Sequence, residues 1–146
     1  MAIKLGGEFE IKHSPDEVFD FLTDPQRFAP LLPDFQSVKV EDATHFRIFV
    51  KVGISYIKGV AEVNLHLAEV ERPSRAKYKG EGKVAGGNVV VTAAFDLSPV
   101  EAGTKVIWQG EAQIFGPLAS VAGGLLEPLG KKNVQKLIDA LQAALG

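Results

Sequence analysis

The sequence predicts an α+β fold: a seven-stranded antiparallel sheet curved around one long C-terminal helix, with two short helices after the first strand. Three observations predict it. Helix start and stop signals crowd residues 13–33; from Phe35 to Phe115 apolar residues alternate with polar ones, punctuated by turn formers; and residues 131–145, KKNVQKLIDALQAAL, place one apolar stripe at helical spacing. Short connections make neighbouring strands antiparallel. Several alternating runs exceed the usual length of about five or six residues, as strands do when they bend around something.

The first strand is marked by Ile3, Leu5, Phe9 and Ile11, with a bulge expected at Gly6-Gly7. Ser14 then stands as N-cap, Pro15 as first helical residue, and Asp16 and Glu17 at the positive end of the helix dipole, Glu17 completing a capping box. Val18, Phe19, Phe21 and Leu22 form the apolar side of that helix. Thr23-Asp24-Pro25 ends it and starts a second, from Pro25 to Leu32, kept short by Pro30 and Pro33.

Six further strands are expected at Phe35 to Glu41, His45 to Val52, Tyr56 to Val70, Ala76 to Val84, Asn88 to Leu97 and Thr104 to Phe115. Alternation gives each an oily face: Ile57, Gly59, Ala61, Val63, Leu65 and Leu67; then Ala76, Tyr78, Gly80 and Gly82; then Val89, Val91, Ala93, Phe95 and Leu97; then Val106, Trp108, Gly110, Ala112 and Ile114. The stripe Val134, Leu137, Ile138, Leu141 and Leu145 of the last helix is expected to cover that face.

Between sheet and stripe lies Gly116–Gly130, GPLASVAGGLLEPLG, with one charge, two glycine-rich breaks and an internal proline. Pro128 offers no N–H to the carbonyl of Gly124 and crowds it, so a bend or break is expected between Gly123 and Gly130; a loop before a shorter helix starting near Pro128 is the other reading. A bend lifts the first half away from the sheet. Leu118, Val121, Ala122, Leu125 and Leu129 then wall a cavity opposite Val63, Tyr78, Val91 and Trp108, with Phe28, Leu31, Leu32 and Phe35 at its mouth. Gly59, Gly80, Gly82 and Gly110 on the inner face either leave empty volume or only permit the sheet to bend.

Composition excludes several functions. The 146 residues suit one domain spanning 1–146, and 16 basic against 18 acidic residues without a basic run give no footprint for nucleic acid. The absence of cysteine removes disulfides, thiolate nucleophiles and sulfur-based zinc sites. The N-terminus alternates where a signal peptide needs an unbroken apolar core, so the protein is read as soluble and cytoplasmic. His13, His45 and His66 lack metal-ligand spacing and are read as surface residues, and no nucleophile elbow, P-loop or dinucleotide fingerprint appears. No metal, cofactor or catalytic residue is therefore expected. The inner face offers the phenol of Tyr78 and the indole of Trp108 but no His, Asp, Glu, Lys or Arg, which favours binding over turnover.

The element order resembles the helix-grip architecture of START-like (SRPBCC) and birch-pollen-allergen-like proteins along the whole chain. Through GEFEIKHSPDEVFDFLTDPQRFAPLLPDF, VKVGISYIKGVAEVNLHLAEV, GTKVIW and GPLASVAGGLL it is similar to the family of the carbon monoxide dehydrogenase G subunit. It departs at Pro33-Asp34, where the family often has Pro-Gly, and it closes at Gly146 where many members continue into a tail implicated in membrane attachment, so tail-mediated anchoring is not expected. The resemblance implies a non-catalytic accessory protein that holds a hydrophobic, lipid- or quinone-like molecule and assists a molybdenum-containing carbon monoxide dehydrogenase or related hydroxylase at the inner face of the membrane. Apolar surface expected around Phe28, Leu32, Leu118 and Val121 suits transient contact with lipid. Two other readings stay open: a polyketide cyclase or aromatase, as some START-like relatives are, and an interaction domain with a filled core.

Overall fold

The computed structural model describes residues 1–54, 57–84 and 86–145; the side chains of residues 54, 57 and 121–123 lie outside the description, and with them the expectations placed on Tyr56, Ile57, Ala85, Val121 and Ala122. The elements are β1 (Ala2–Ile11), α1 (Pro15–Leu22), α2 (Pro25–Phe28) continued by a 3₁₀ turn (Ala29–Leu31), β2 (Phe35–Val40), β3 (His45–Ile54), β4 (Ile57–Glu71), β5 (Arg75–Val84), β6 (Gly87–Val100), β7 (Gly103–Phe115) and α3 (Pro117–Leu145). One antiparallel sheet runs in the order β1-β7-β6-β5-β4-β3-β2. Strands β2 to β7 form a meander because each connection is short, while the two short helices carry the chain from β1 across to β2 at the far edge.

Local chemistry sets the helix boundaries. The Ser14 hydroxyl accepts the Glu17 N–H at 3.3 Å and the Asp24 carboxylate accepts that of Gln26 at 3.1 Å, each cap standing one residue before a proline. Thr23 Oγ1 donates back to the Phe19 carbonyl at 2.7 Å and closes α1. Asp34 takes a left-handed φ of 59°, a conformation that a short polar side chain tolerates better than most others.

Register departs from expectation in one respect. The pairing of β1 with β7 is unbroken through Gly6↔Gln109 and Gly7↔Trp108, so no bulge lies there. The irregularities fall between Phe35 and Ser37 in β2 and between Leu67 and Glu69 in β4, where an extra residue tightens the curl. Two glycines serve the same end. A Cβ on Gly80 would fall 2.3 Å from the Asn64 carbonyl oxygen and one on Gly82 2.2 Å from that of Glu62, so β5 leans into β4 at a distance only glycine allows.

The concave face carries two apolar clusters. The larger gathers Ile11, Val18, Phe19, Phe46, Phe95 and Val106 under the short helices, closed by Leu141 and Leu145 of α3. The smaller joins Ala61, Val84 and Ile114 to Leu118 and Leu126 near the start of α3. Thr104 is fully buried and donates to the His13 carbonyl at 2.6 Å, which pins the start of β7 beneath the β1–α1 turn.

Helix α3 is continuous for 29 residues with Pro128 inside it, so neither the expected break nor a shorter helix starting near Pro128 occurs. Pro128 and Gly124 are both exposed, so the carbonyl deprived of its N–H faces water, and nothing lies within 4 Å of a Cβ position at Gly124. The first half does not lift away either, because Leu118 and Leu126 are buried in the smaller cluster. The helix leans on β1 instead: a Cβ at Gly130 would lie 3.4 Å from Leu5 Cδ1, and Gln142 Nε2 donates to the Glu10 carbonyl at 3.0 Å.

Candidate functional site

Between the two clusters the concave face is lined by small residues. Pairing places Leu5, Gly110, Ala93, Tyr78 and Leu67 in one row across the sheet, and Ile3, Ala112, Val91, Gly80 and Leu65 in the next. Ala93, on the same side of β6 as the buried Phe95 and Leu97, is exposed, and Val91, Gly110 and Ala112 are only half-buried. A Cβ on Gly110 would meet nothing nearer than the Thr92 carbonyl oxygen at 3.7 Å. Gly110 thus leaves space where Gly80 and Gly82 close it, and the inner-face glycines divide between the two readings open from sequence. Val91, Ala93, Gly110 and Ala112 thus form an incompletely covered, small-residue stretch of the concave face.

The expected lining residues distribute unevenly around it. Val63 and Val91 are half-buried on the sheet, and Leu129 is half-buried on α3. Phe28, Leu31, Leu32 and Phe35 are half-buried and packed against the larger cluster, Phe28 with its ring 5.9 Å from those of both Phe46 and Tyr78. Leu118, expected at an exposed portal, is 5% exposed within the smaller cluster; it follows Gly116-Pro117, which turn it back onto Ile114 and Val84. Leu125 is 58% exposed, about 100° around the helix from the buried Leu126, and so faces water.

The two polar handles differ. Tyr78 is buried, and its hydroxyl donates to the Leu22 carbonyl at 2.8 Å. Burial first, and the nearby Asp24 carboxylate second, push its phenol above the ordinary value. The neutral form is favoured in the fold, so Tyr78 supports stability fully below about pH 10, where the unfolded phenol ionises, and less as pH rises beyond it. A spectrophotometric titration is expected to show the Tyr78 phenolate appearing only together with alkaline unfolding; its appearance in the folded protein would contradict this. Trp108, by contrast, has its indole Nε1 buried with no hydrogen-bond partner among the described residues.

Charged chemistry lies elsewhere. Among the described residues no group of three or more His, Cys, Asp or Glu side chains is placed to hold a metal ion. His13 Nδ1 meets Glu17 Oε2 at 2.5 Å at the start of α1, and His45 stacks on His66 with ring centroids 5.6 Å apart on the outer face. Asp42 holds the β2–β3 turn: the Thr44 backbone N–H, then the His45 side chain, lower its carboxyl to about 2. None of these reaches the small-residue stretch. No described helix is long and apolar enough to cross a membrane.

A curled antiparallel sheet gripping a C-terminal helix is the START-like fold. Residues 7–146 match the CoxG family, that of the carbon monoxide dehydrogenase G subunit, and the chain belongs to it. No curated protein matches the sequence. Among solved structures, a conserved protein from Geobacillus kaustophilus superposes with a TM-score of 0.86 at 19% identity over 98% of this chain and 95% of its own. A START superfamily protein from Mycobacterium smegmatis gives 0.74 at 11% identity over 97% and 96%. The di-domain ARO/CYC protein BexL of the BE-7585A biosynthetic pathway gives 0.68 at 14% identity, covering 99% of this chain and 50% of that one. At such identities these three define the fold.

Proposed function

We propose that the protein is a non-catalytic accessory protein that holds a hydrophobic small molecule, lipid- or quinone-like, in a cleft floored by Val91, Ala93, Gly110 and Ala112. The exposed methyl of Ala93 on the concave face is the observation that carries this reading: a solid core would cover it, and an apolar depression left open beneath a helix is a surface suited to an apolar guest. Membership of the CoxG family supports service to a carbon monoxide dehydrogenase-type molybdenum hydroxylase. Binding is favoured over cyclase or aromatase chemistry because the one ionisable group among the named wall residues, Tyr78, is held neutral and already bonded to Leu22. Native mass spectrometry of protein purified from its own host, followed by organic extraction, is expected to recover an isoprenoid or acyl lipid in stoichiometric amount; protein that is empty by both measurements refutes the reading.

Contact with a bilayer is the second half of the proposal and rests on Leu125, whose 58% exposure on α3 gives lipid an apolar side chain to meet. Leu125→Ser is expected to reduce co-sedimentation with anionic liposomes severalfold while leaving the melting temperature unchanged. Sedimentation that is absent in the wild type, or equal in the variant, removes the membrane half and leaves the cleft untouched.

A further inference from the structure

Strand β1 is one edge of the sheet, and much of its outward backbone is open. Met1 and Ile114 exchange two bonds: the Ile114 N–H donates to the Met1 carbonyl at 2.8 Å and the Met1 ammonium to the Ile114 carbonyl at 3.2 Å. Such pairs alternate along an antiparallel ladder. Ile3, Leu5, Gly7 and Phe9 therefore bond to β7, while Ala2, Lys4, Gly6, Glu8 and Glu10 turn their N–H and C=O groups away from it. The Glu10 carbonyl is taken by Gln142 of α3. The outward groups of Lys4, Gly6 and Glu8 have no partner among the described residues, and all three residues are exposed. Natural edges are usually blunted by brevity, proline or a bulge. The opposite edge, β2, is six residues long with its register shifted after Phe35, whereas β1 runs ten residues in unbroken register without proline. A groove of about 390 Å³ opens beside the uncovered stretch, between β1 and α3, with Leu5, Trp108, Val134 and Ile138 on its walls. The polar side chains at its rim are engaged with one another: Lys131 faces Glu127 at 3.7 Å, and the Gln135 amide donates to Asp139 at 2.9 Å. Gly7 is exposed and puts no side chain into the groove, so a neighbour has room to pack beside the Trp108 ring, three atoms of which lie 3.4–3.6 Å from a Cβ position at residue 7.

We propose that this edge takes an extended segment of a partner protein as an added strand, antiparallel to β1 and centred on Gly6. The backbone selects the class of occupant. A row of N–H and C=O groups recurring at every second residue is matched by another chain in strand conformation, and a lipid carries no such repeat. The side chains narrow the choice. Residues opposite Leu5 and Gly7 share their face, point into the groove and are apolar. The residue opposite Gly6 must supply its own N–H, so it is not proline. The residue opposite Lys4 stands on the outer face and is acidic, because Lys4 is exposed and has no ion pair among the described residues. Glu8 already faces Lys105 at 3.1 Å and adds little selection. From its N-terminus the segment thus reads apolar, any residue but proline, apolar, acidic. A second copy of β1 fits less well: its own Gly7 would stand opposite Leu5, and its α3, which leans on β1 at Leu5 and Glu10, would enter the groove with it.

The test uses the whole protein and short capped peptides bearing a fluorophore, followed by fluorescence polarisation. One peptide reads threonine, leucine, serine, valine, glutamate, threonine; a second has proline in place of serine, and a third has lysine in place of glutamate. The first is expected to bind about tenfold more tightly than the proline peptide, the scale of one net backbone hydrogen bond. It is expected to bind about threefold to tenfold more tightly than the lysine peptide, the scale of a cross-strand charge pair reversed. Lys4→Glu should invert that second preference. In the wild type, the first peptide should slow amide hydrogen exchange at Lys4, Gly6 and Glu8, a readout that needs no variant. Absence of binding by all three peptides, equal binding of the proline peptide, a charge preference that Lys4→Glu leaves unchanged, or unslowed exchange at Gly6 each overturns the proposal. So does a dimer in solution that Lys4→Glu dissolves, since the edge would then belong to a second copy. None of these outcomes bears on what the cleft holds.

Discussion

Ala93→Phe is expected to strip the protein of its co-purified hydrophobic molecule without destabilising it. The substitution adds a ring where the sheet has spare room: Ala93 is exposed on the concave face, and its neighbours Gly110 and Val91 are incompletely covered. In a filled core such an insertion costs about 1–3 kcal/mol of overpacking; here the cost falls on the guest, which loses the floor of its site. Affinity should fall between about tenfold and a hundredfold, the equivalent of that overpacking energy. The melting temperature should hold or rise, because the new ring covers exposed apolar surface. Mass spectrometry of the extracted variant and a thermal melt check the two halves separately. Undiminished ligand content would place the guest elsewhere; a collapsed melting temperature would show that residue 93 is core and that the depression is closed in solution.

Much of the fold was legible because its signals are local. Ser14-Pro15 and Asp24-Pro25 each pair a capping side chain with a residue preset for the first helical turn, and both helices begin there. Strand alternation separated the faces correctly, since a period of two leaves each side chain one choice of side, and Ala76, Phe95, Leu97, Val106 and Ile114 are all buried. What stayed hidden depends on neighbours distant in sequence. The register shifts after Phe35 and Leu67 carry no turn signature, whereas Gly6-Gly7, which does look like a bulge, serves to seat the Trp108 ring. Whether Pro128 breaks a helix depends on which side of the helix it faces, and a face pattern that is apolar nearly all round does not say. The same ambiguity put Leu118 at a portal and Leu125 in the cavity wall, where the structure buries the first and exposes the second. Trp108 was legible as a buried donor in want of a partner, but Gly7 beneath it was not, because the pairing of β1 with β7 joins residues about a hundred apart.

The inner-face glycines give a second large effect, and its sign distinguishes two jobs done by one residue type. Gly82→Ala would force a methyl to within 2.2 Å of the Glu62 carbonyl oxygen and 2.9 Å of Val63 Cα, both backbone atoms that no rotamer change can move. Strand β5 must then draw back from β4 and give up ladder hydrogen bonds, so a loss of about 3 kcal/mol or more is expected, or some ten degrees in melting temperature for a domain of this size. Gly80→Ala meets the Asn64 carbonyl oxygen at 2.3 Å and should behave alike. Gly110→Ala makes the same chemical change on the same face, two strands away, where the nearest atom stands at 3.7 Å. There the added methyl restricts the unfolded chain and meets no obstacle, so stability should rise by about 0.5 kcal/mol. Thermal or denaturant unfolding of the three variants measures the contrast directly. Equal losses at all three positions would mean that the whole face is closely packed and the cleft does not exist; equal tolerance would mean that β5 is free to move and that the curl of the sheet comes from the register shifts at Gln36 and Ala68 alone.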